Sequence, residues 1–361
     1  MDRRDFLKSA GAAAAAATTA TAVAAESATA QPAGVAAPNL AAGIVELRLA
    51  TFWPDAVAGP ADQARRLGQR LAAMSGGRYR IAFANGIGDG LASVRAGEAD
   101  LYYASEHDHL GAHRALAYFA GLPGDHGIAA RHLSAWMLAG GGQQLWDDLA
   151  ANFGVKAMLA GHTGEQPYFV ASRRVSDMSE LAGGKVAVSG LARDVVRGFG
   201  LEPVAIPVAH VADALTRGEL VAAECGGAIT SYALGLLRAA SCSAGTSVNR
   251  HGSAVSLGIR RSLWDSLPAS DQALFAAAAA AEFELALAEE EAHRRLLYPA
   301  PLAAGTWPVA PELSRTVRRV ADAVVAHVAA SDAHAQRINA GYEAFRRALL
   351  PETQSVLDAA T

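Results

Sequence analysis

The feature that most restricts the fold lies at 177–226, where short apolar runs alternate with helical stretches and glycines mark the changes. Ser179 is placed to cap a short helix that Gly183-Gly184 ends. Residues 185–188 (Lys-Val-Ala-Val) then read as a short buried strand. Ser189-Gly190 turns into a helix over 193–199, stopped by Gly200. A strand over 203–206, a helix over 210–217 and a strand over 220–224 complete the pattern. Strands and helices alternating at this pitch imply parallel strands joined by crossover helices. In open sheets of this kind, ligands sit beyond the carboxyl ends of the strands. That rule places Ser189-Gly190 and Glu224-Cys225 at the mouth of a site.

The same alternation opens the chain: a strand over 45–51, a helix over 60–75 stopped by Gly76-Gly77, a strand over 78–84, a short helix over 91–97 and a strand over 99–104. Ser105-Glu106-His107-Asp108-His109 follows that last strand, so it belongs near the same cleft. An extended segment alternates its side chains, which would put His107 and His109 on one face. Two such histidines suit a transition metal, and a plain polar rim is the alternative. Helices over 129–139 and from Gln143 flank Gly140-Gly141-Gly142. A strand over 155–160 leads into Gly161-His162-Thr163-Gly164-Glu165-Gln166, and a strand over 168–172 marks the first crossing between two halves. Residues 253–259 read as the return strand. A long helix over 270–297 carries Glu289-Glu290-Glu291 and Arg294-Arg295, expected to face water and to favour the helix by charge spacing. An edge strand over 306–309 and helices over 312–330 and 333–349 finish the chain.

The 361 residues suffice for two lobes of ordinary size. A net charge of −4 with interspersed signs excludes a nucleic-acid footprint, which needs Lys and Arg clustered on one face. The beginning reads as an export signal. Arg3-Arg4, Phe6 and Leu7 precede a long Ala/Thr-rich run, which is the twin-arginine pattern for a protein exported folded to the periplasm. Residues 1–39 are therefore assigned to signal and linker. No later stretch is long and apolar enough to span a membrane. Cys225 and Cys242 are the two cysteines. An oxidising compartment allows a disulfide between them, and two small buried thiols are the alternative.

Several phrases in order resemble the solute-binding subunit of TRAP (tripartite ATP-independent periplasmic) transporters, in the branch that binds 2-oxo acids and related carboxylates. They are Met74-Ser75-Gly76-Gly77-Arg78, Val94-Arg95-Ala96-Gly97-Glu98-Ala99-Asp100, the Gly140-to-Asp147 run with Leu145-Trp146, Gly161-to-Gln166, and Gly184-Lys185-Val186-Ala187. The resemblance covers about 45–349. It implies an α/β, two-lobed periplasmic-binding-protein fold (type II-like) with an interlobe cleft and a long bracing C-terminal helix. The implied lobes are 44–168 with 253–270, and 169–252, with 271–361 shared between them. It implies a receptor, not an enzyme, that closes on a small solute and hands it to membrane permease subunits. The assembly state stays open, a homodimer included.

The resemblance also assigns roles. Gln166 would touch the ligand and, with Glu224 and the Cys225 carbonyl, a cation such as sodium. Ala187 stands where the resemblance expects a carboxylate-clamping Arg, and Cys225 where it expects Trp. Ser105, His107 and His109 replace expected aromatic residues. A carboxylate desolvated without a partner costs several kcal/mol, roughly, so the missing guanidinium points to an altered ligand. A neutral polyol, a cationic or metal-bound solute, and a decayed site stay open. A periplasmic metal-binding or sensory protein on the same scaffold is the rival. Ser105, His107 and Asp108 offer triad residue types, but neighbours on one extended segment cannot converge as a triad does.

Overall fold

In the computed structural model the described residues are 43–55, 57–166, 169–171, 178–240, 242–244, 247–297, 306–307 and 311–358. The signal and linker assigned to 1–39 lie outside them. Two sheets organise the chain. The first has the order β2-β1-β3-β10-β4, from β1 (Val45–Thr51), β2 (Tyr79–Asn85), β3 (Leu101–Ser105), β4 (Val155–His162) and β10 (Ala254–Arg260). The second has the order β11-β9-β5-β8-β6-β7, from β5 (Phe169–Ala171), β6 (Lys185–Ala187), β7 (Glu202–Pro203), β8 (Ala222–Ala223), β9 (Cys242–Ala244) and β11 (Thr306–Trp307). The fold is α/β and two-lobed, one sheet to each lobe.

The parallel pairing expected from the 177–226 pattern is present where helices make the crossovers: β1 with β2 and β3, β6 with β7 and β8. It fails where the chain changes lobes. β10 returns antiparallel to β3 and β4, and β5 enters the second sheet antiparallel to β8 and β9. A strand arriving from the other lobe has no crossover helix to turn it around, so it pairs in the direction it arrives.

Each face of the second sheet is covered by different helices. Val186 and Val188 pack with Val195, Val196 and Val317, while Ala187 faces Val211, Ala214 and Leu215. That alternation follows from the period of two along a strand. In the first lobe, Phe119 stacks on Trp136 and Trp146, and Tyr342 of the C-terminal helix Ala333–Asp358 meets Trp136 edge-on. A side chain at Gly142 would strike Trp136, so the glycine run that ends one helix also seats this ring.

The helix Ala269–Leu297 packs on β4, on the helix Pro60–Met74 and on the helix Ala228–Ala233. Phe275, Ala278, Ala279, Phe283 and Ala286 form its buried stripe, and the alanines permit close approach. Its acidic residues do not all face water, as the charge spacing suggested. Glu282 is fully buried and takes two bonds from Arg66, at 2.9 and 2.7 Å, and Glu290 is buried as well. No helix among the described residues is long and apolar enough to cross a membrane.

Candidate functional site

Between the lobes lies a cleft of about 750 Å³, within the range of roughly 300–1,000 Å³ typical of small-molecule sites. The carboxyl ends of β3, β6 and β8 open onto it, as the topology requires. Ser105, His107, Gln166, Ala187, Ser189, Gly190, Glu224 and Cys225 all line it, so residues distant in sequence meet here. Phe52, Trp53, Val204 and Ile206 supply apolar wall.

His109 is not among the lining residues. Residues Glu106–His109 form a turn of 3-10 helix rather than an extended segment, so His107 and His109 do not share a face. Ser105 caps that turn by accepting the His107 N–H at 3.2 Å. His109 points into the core, where its Nδ1 lies 3.1 Å from Glu106, the Leu91 N–H donates to its Nε2, and Tyr102 meets it edge-on. The paired-histidine metal site is thereby corrected. Among the described residues no group of three His, Cys, Asp or Glu side chains could hold a metal ion.

His107 is held by a defined network. Its Nε2 is 2.8 Å from the Gly121 carbonyl, which only accepts, so Nε2 carries the proton. Nδ1 is then an acceptor for the Ser253 hydroxyl at 3.3 Å, and Ser253 and Ser105 hydroxyls are 2.5 Å apart. Burial lowers the His107 pKa, so the ring is neutral. Its partners are a carbonyl and a serine, which is not the carboxylate-backed arrangement of a triad.

Glu224 is 3% exposed and Gln166 is 5% exposed. Burial pushes the Glu224 carboxyl up to about 7, against the pull of the Val248 and Asn249 N–H groups it accepts. Those donors sit on the segment that carries the chain back to β10. Gln166 is fixed through its backbone, by Arg250 and Ser247, and its Oε1 is buried with no hydrogen-bond partner among the described residues. Asp108 also lines the cleft, its Oδ2 is likewise unpartnered, and burial raises its pKa to about 7. Cys225 is a free thiol whose Sγ is 3.9 Å from the Ala187 carbonyl, and its own carbonyl is 3.3 Å from the Ser231 hydroxyl. The Cys242 side chain lies outside the described residues.

Three guanidinium groups line the cleft: Arg114, Arg193 and Arg197. Arg114 from the first lobe and Arg197 from the second both pair with Asp194, which ties the lobes together at the cleft. Arg193 has only a 3.4 Å contact to the Pro203 carbonyl and no carboxylate partner among the described residues. Arg193 is half-buried and faces the cavity. Asn249, Ser253 and Arg114 carried no signal in any motif. The polar run 247–253 just before the return strand was the available hint, because it had to pass between lobes.

His162, at the end of β4, makes a test of the folded geometry. Its Nδ1 accepts the Gly164 N–H at 3.0 Å, and burial pulls its pKa down from 6.5 to about 3. The folded state thus refuses a proton that the unfolded chain takes up. The stability this group contributes is complete above pH 6.5 and is lost as pH falls from there towards 3. The limiting slope is about 1.4 kcal/mol per pH unit. His162→Gln is expected to reduce the acid-side slope of unfolding midpoint in urea against pH. The slope should not vanish, because His251, held down to about 4 mainly by burial, stays in place. An unchanged slope would assign the acid sensitivity elsewhere.

Two α/β lobes, a cleft at the carboxyl ends of their strands and a helix bracing both define a solute-binding protein of the periplasmic type. Residues 61–301 match the model of the bacterial extracellular solute-binding protein family 7, and the chain belongs to that family. It is an extracytoplasmic solute receptor of the TRAP type and not an enzyme. A monocarboxylate 2-oxoacid-binding periplasmic protein of Nostoc sp. is 29% identical over 354 residues, covering 96% of this chain and 94% of the relative. A TRAP solute-binding protein of Pseudoalteromonas atlantica, solved with sodium and pyruvate, superposes with a TM-score of 0.80 at 20% identity, over 88% of this chain and 98% of that one. One from Bordetella bronchiseptica, a mixed-occupancy dimer with co-purified calcium and picolinate, gives 0.78 at 21% identity, over 88% and 100%.

Proposed function

We propose that this receptor captures a small organic acid together with a hard cation. The observation that carries the proposal is the surplus of acceptors in the cleft. The unpartnered oxygens of Gln166 and Asp108 and the buried Glu224 all ask for positive charge or donors. Against these acceptors a lone carboxylate would meet one guanidinium without a carboxylate partner among the described residues, Arg193. Oxygen donors of amide and carboxylate type fit sodium or calcium rather than a thiophilic metal. Gln166 and Glu224 would hold the ion, together with the Cys225 carbonyl, which keeps a lone pair beyond its bond from Ser231. When bound, the ion supplies the positive charge that a desolvated carboxylate needs. Relatives that carry calcium or sodium alongside pyruvate or picolinate support this reading.

The chain's own residues do the rest. Arg193 offers a guanidinium with no carboxylate partner to the acid, at the end of β7, the strand beside Ala187. The neutral His107, with Ser105 and Ser253, gives directional bonds to a carbonyl or hydroxyl of the solute. Ala187 and Cys225 leave room where larger side chains would narrow the cleft. Closure of the lobes excludes water, and the loaded receptor delivers its solute to permease subunits in the membrane. The Arg3-Arg4 pattern supports export by the twin-arginine route.

Calorimetry of the purified protein with pyruvate is the test. Heat of binding is expected in sodium or calcium buffer and a loss of at least tenfold in affinity in choline buffer. If neither pyruvate nor other small acids bind with either cation, the proposal fails.

A further inference from the structure

Glu290 lies in the helix Ala269–Leu297, in a run whose neighbours Glu289 and Glu291 are better exposed, yet it is 6% exposed itself. No salt bridge to it is formed among the described residues; Arg294, one turn on, bonds Glu291 and acts on Glu290 only through space. It is met by backbone: the Ala228 N–H donates to Oε1 at 2.5 Å, and the neighbouring Ile229 N–H helps to lower its pKa against the effect of burial. A buried carboxylate is costly unless donors meet it, so this one is held by the chain segment it caps.

That segment joins the lobes. It leaves β8 in the second lobe through Glu224-Cys225-Gly226-Gly227 and enters the helix Ala228–Ala233, which docks on the first lobe through the Thr230 hydroxyl on the Ala58 carbonyl at 3.2 Å. The other side of the Glu290 carboxylate rests on Gly164, in the loop that carries Gln166. A methyl group at Gly164 or at Gly227 would overlap the carboxylate itself. The two loops are tied directly, Gly227 N–H to the Thr163 carbonyl at 2.6 Å, and the Thr163 N–H in turn reaches the Ser253 carbonyl at 2.9 Å. One side chain thus touches the loop bearing Gln166 and the loop bearing Glu224, and it sits on the element that spans both lobes.

We infer that Glu290 is a positioning residue for the solute site, fixing the Gln166 and Glu224 loops against the bracing helix through backbone N–H groups and two side-chain-free positions. It does not line the cleft and acts only through those loops. The inference rests on the proposed site but not on the identity of the solute.

The test uses the full chain without ligand. Hydrogen exchange by mass spectrometry is expected to quicken at least tenfold in peptides covering 163–166 and 224–231 in Glu290→Ala, with β1–β3 peptides unchanged. Glu290→Gln, which keeps one acceptor, should recover most of the protection. With pyruvate and calcium as probe, the alanine variant should bind at least tenfold more weakly and the glutamine variant within about threefold of the parent. Uniformly faster exchange, or unchanged exchange in both loops, would overturn the inference. If exchange responds as expected but even the parent binds no pyruvate, the proposed solute fails and the positioning role stands.

Discussion

Replacing Glu224 with Gln is expected to weaken capture of pyruvate with calcium by about 100-fold, or roughly 2.7 kcal/mol. Breaking a buried charged partnership by removing one partner costs about 3–5 kcal/mol, and the glutamine keeps one acceptor, which sets the lower figure. The carboxylate sits at the end of β8, pairs with no basic side chain among the described residues, and has two backbone N–H groups as its partners. The amide can still accept one of those bonds, so the return segment at Val248 and Asn249 should keep its path. Thermal unfolding separates the two roles. A melting midpoint near that of the parent with lost affinity is the expected pair of results. Equal affinity in parent and variant would remove Glu224 from the site.

Ala187→Arg is expected to act in the opposite direction. The side chain is buried at the end of β6 on the face packed by Val211, Ala214 and Leu215, and it borders the cleft. An arginine there would run along that apolar surface and present its guanidinium beyond the strand end, in the cleft that Glu224 also lines. Bonds of a charged donor to a carboxylate contribute about 1.5–3 kcal/mol, which corresponds to roughly 10- to 150-fold tighter binding of pyruvate. The same guanidinium would satisfy part of the acceptor surplus, so dependence on added cation should shrink. Calorimetry in sodium and choline buffers measures both effects. Tighter binding with undiminished cation dependence would show that the arginine and the cation serve separate groups.

Much of the fold could be read from the sequence because each element carries its own stop. Gly76-Gly77, Gly183-Gly184, Gly200 and Gly218 all take positive φ at one or both positions, and the elements change there. The crossing strands were legible as strands but not in direction, since nothing local distinguishes a strand that arrives from another lobe. Glu290 departs from its expected exposure for a related reason, while Glu289 and Glu291 meet water. Charge spacing describes a helix in water, and this helix is wrapped on several sides.

The site was legible where strand ends place residues and illegible where a turn type decides. Ser189, Gly190, Glu224 and Cys225 follow from topology alone. His109 does not: Ser105 accepts the His107 N–H, a 3-10 turn forms, and the second histidine rotates into the core beside Tyr102. Asp194 was equally hidden. It reads as an ordinary acidic residue in the first turn of a helix, and only the meeting of the two lobes gives it Arg114 as a partner.

The acceptors of the cleft require a positive ion to seat an acid. A crystal structure of the protein grown with pyruvate and calcium tests this most directly. The expected result is a calcium ion touching the Gln166 amide oxygen, the Glu224 carboxylate and the pyruvate carboxylate, with Arg193 also on the acid. Pyruvate in the cleft with no ion near Gln166 and Glu224, or an ion there with no acid beside it, would contradict it.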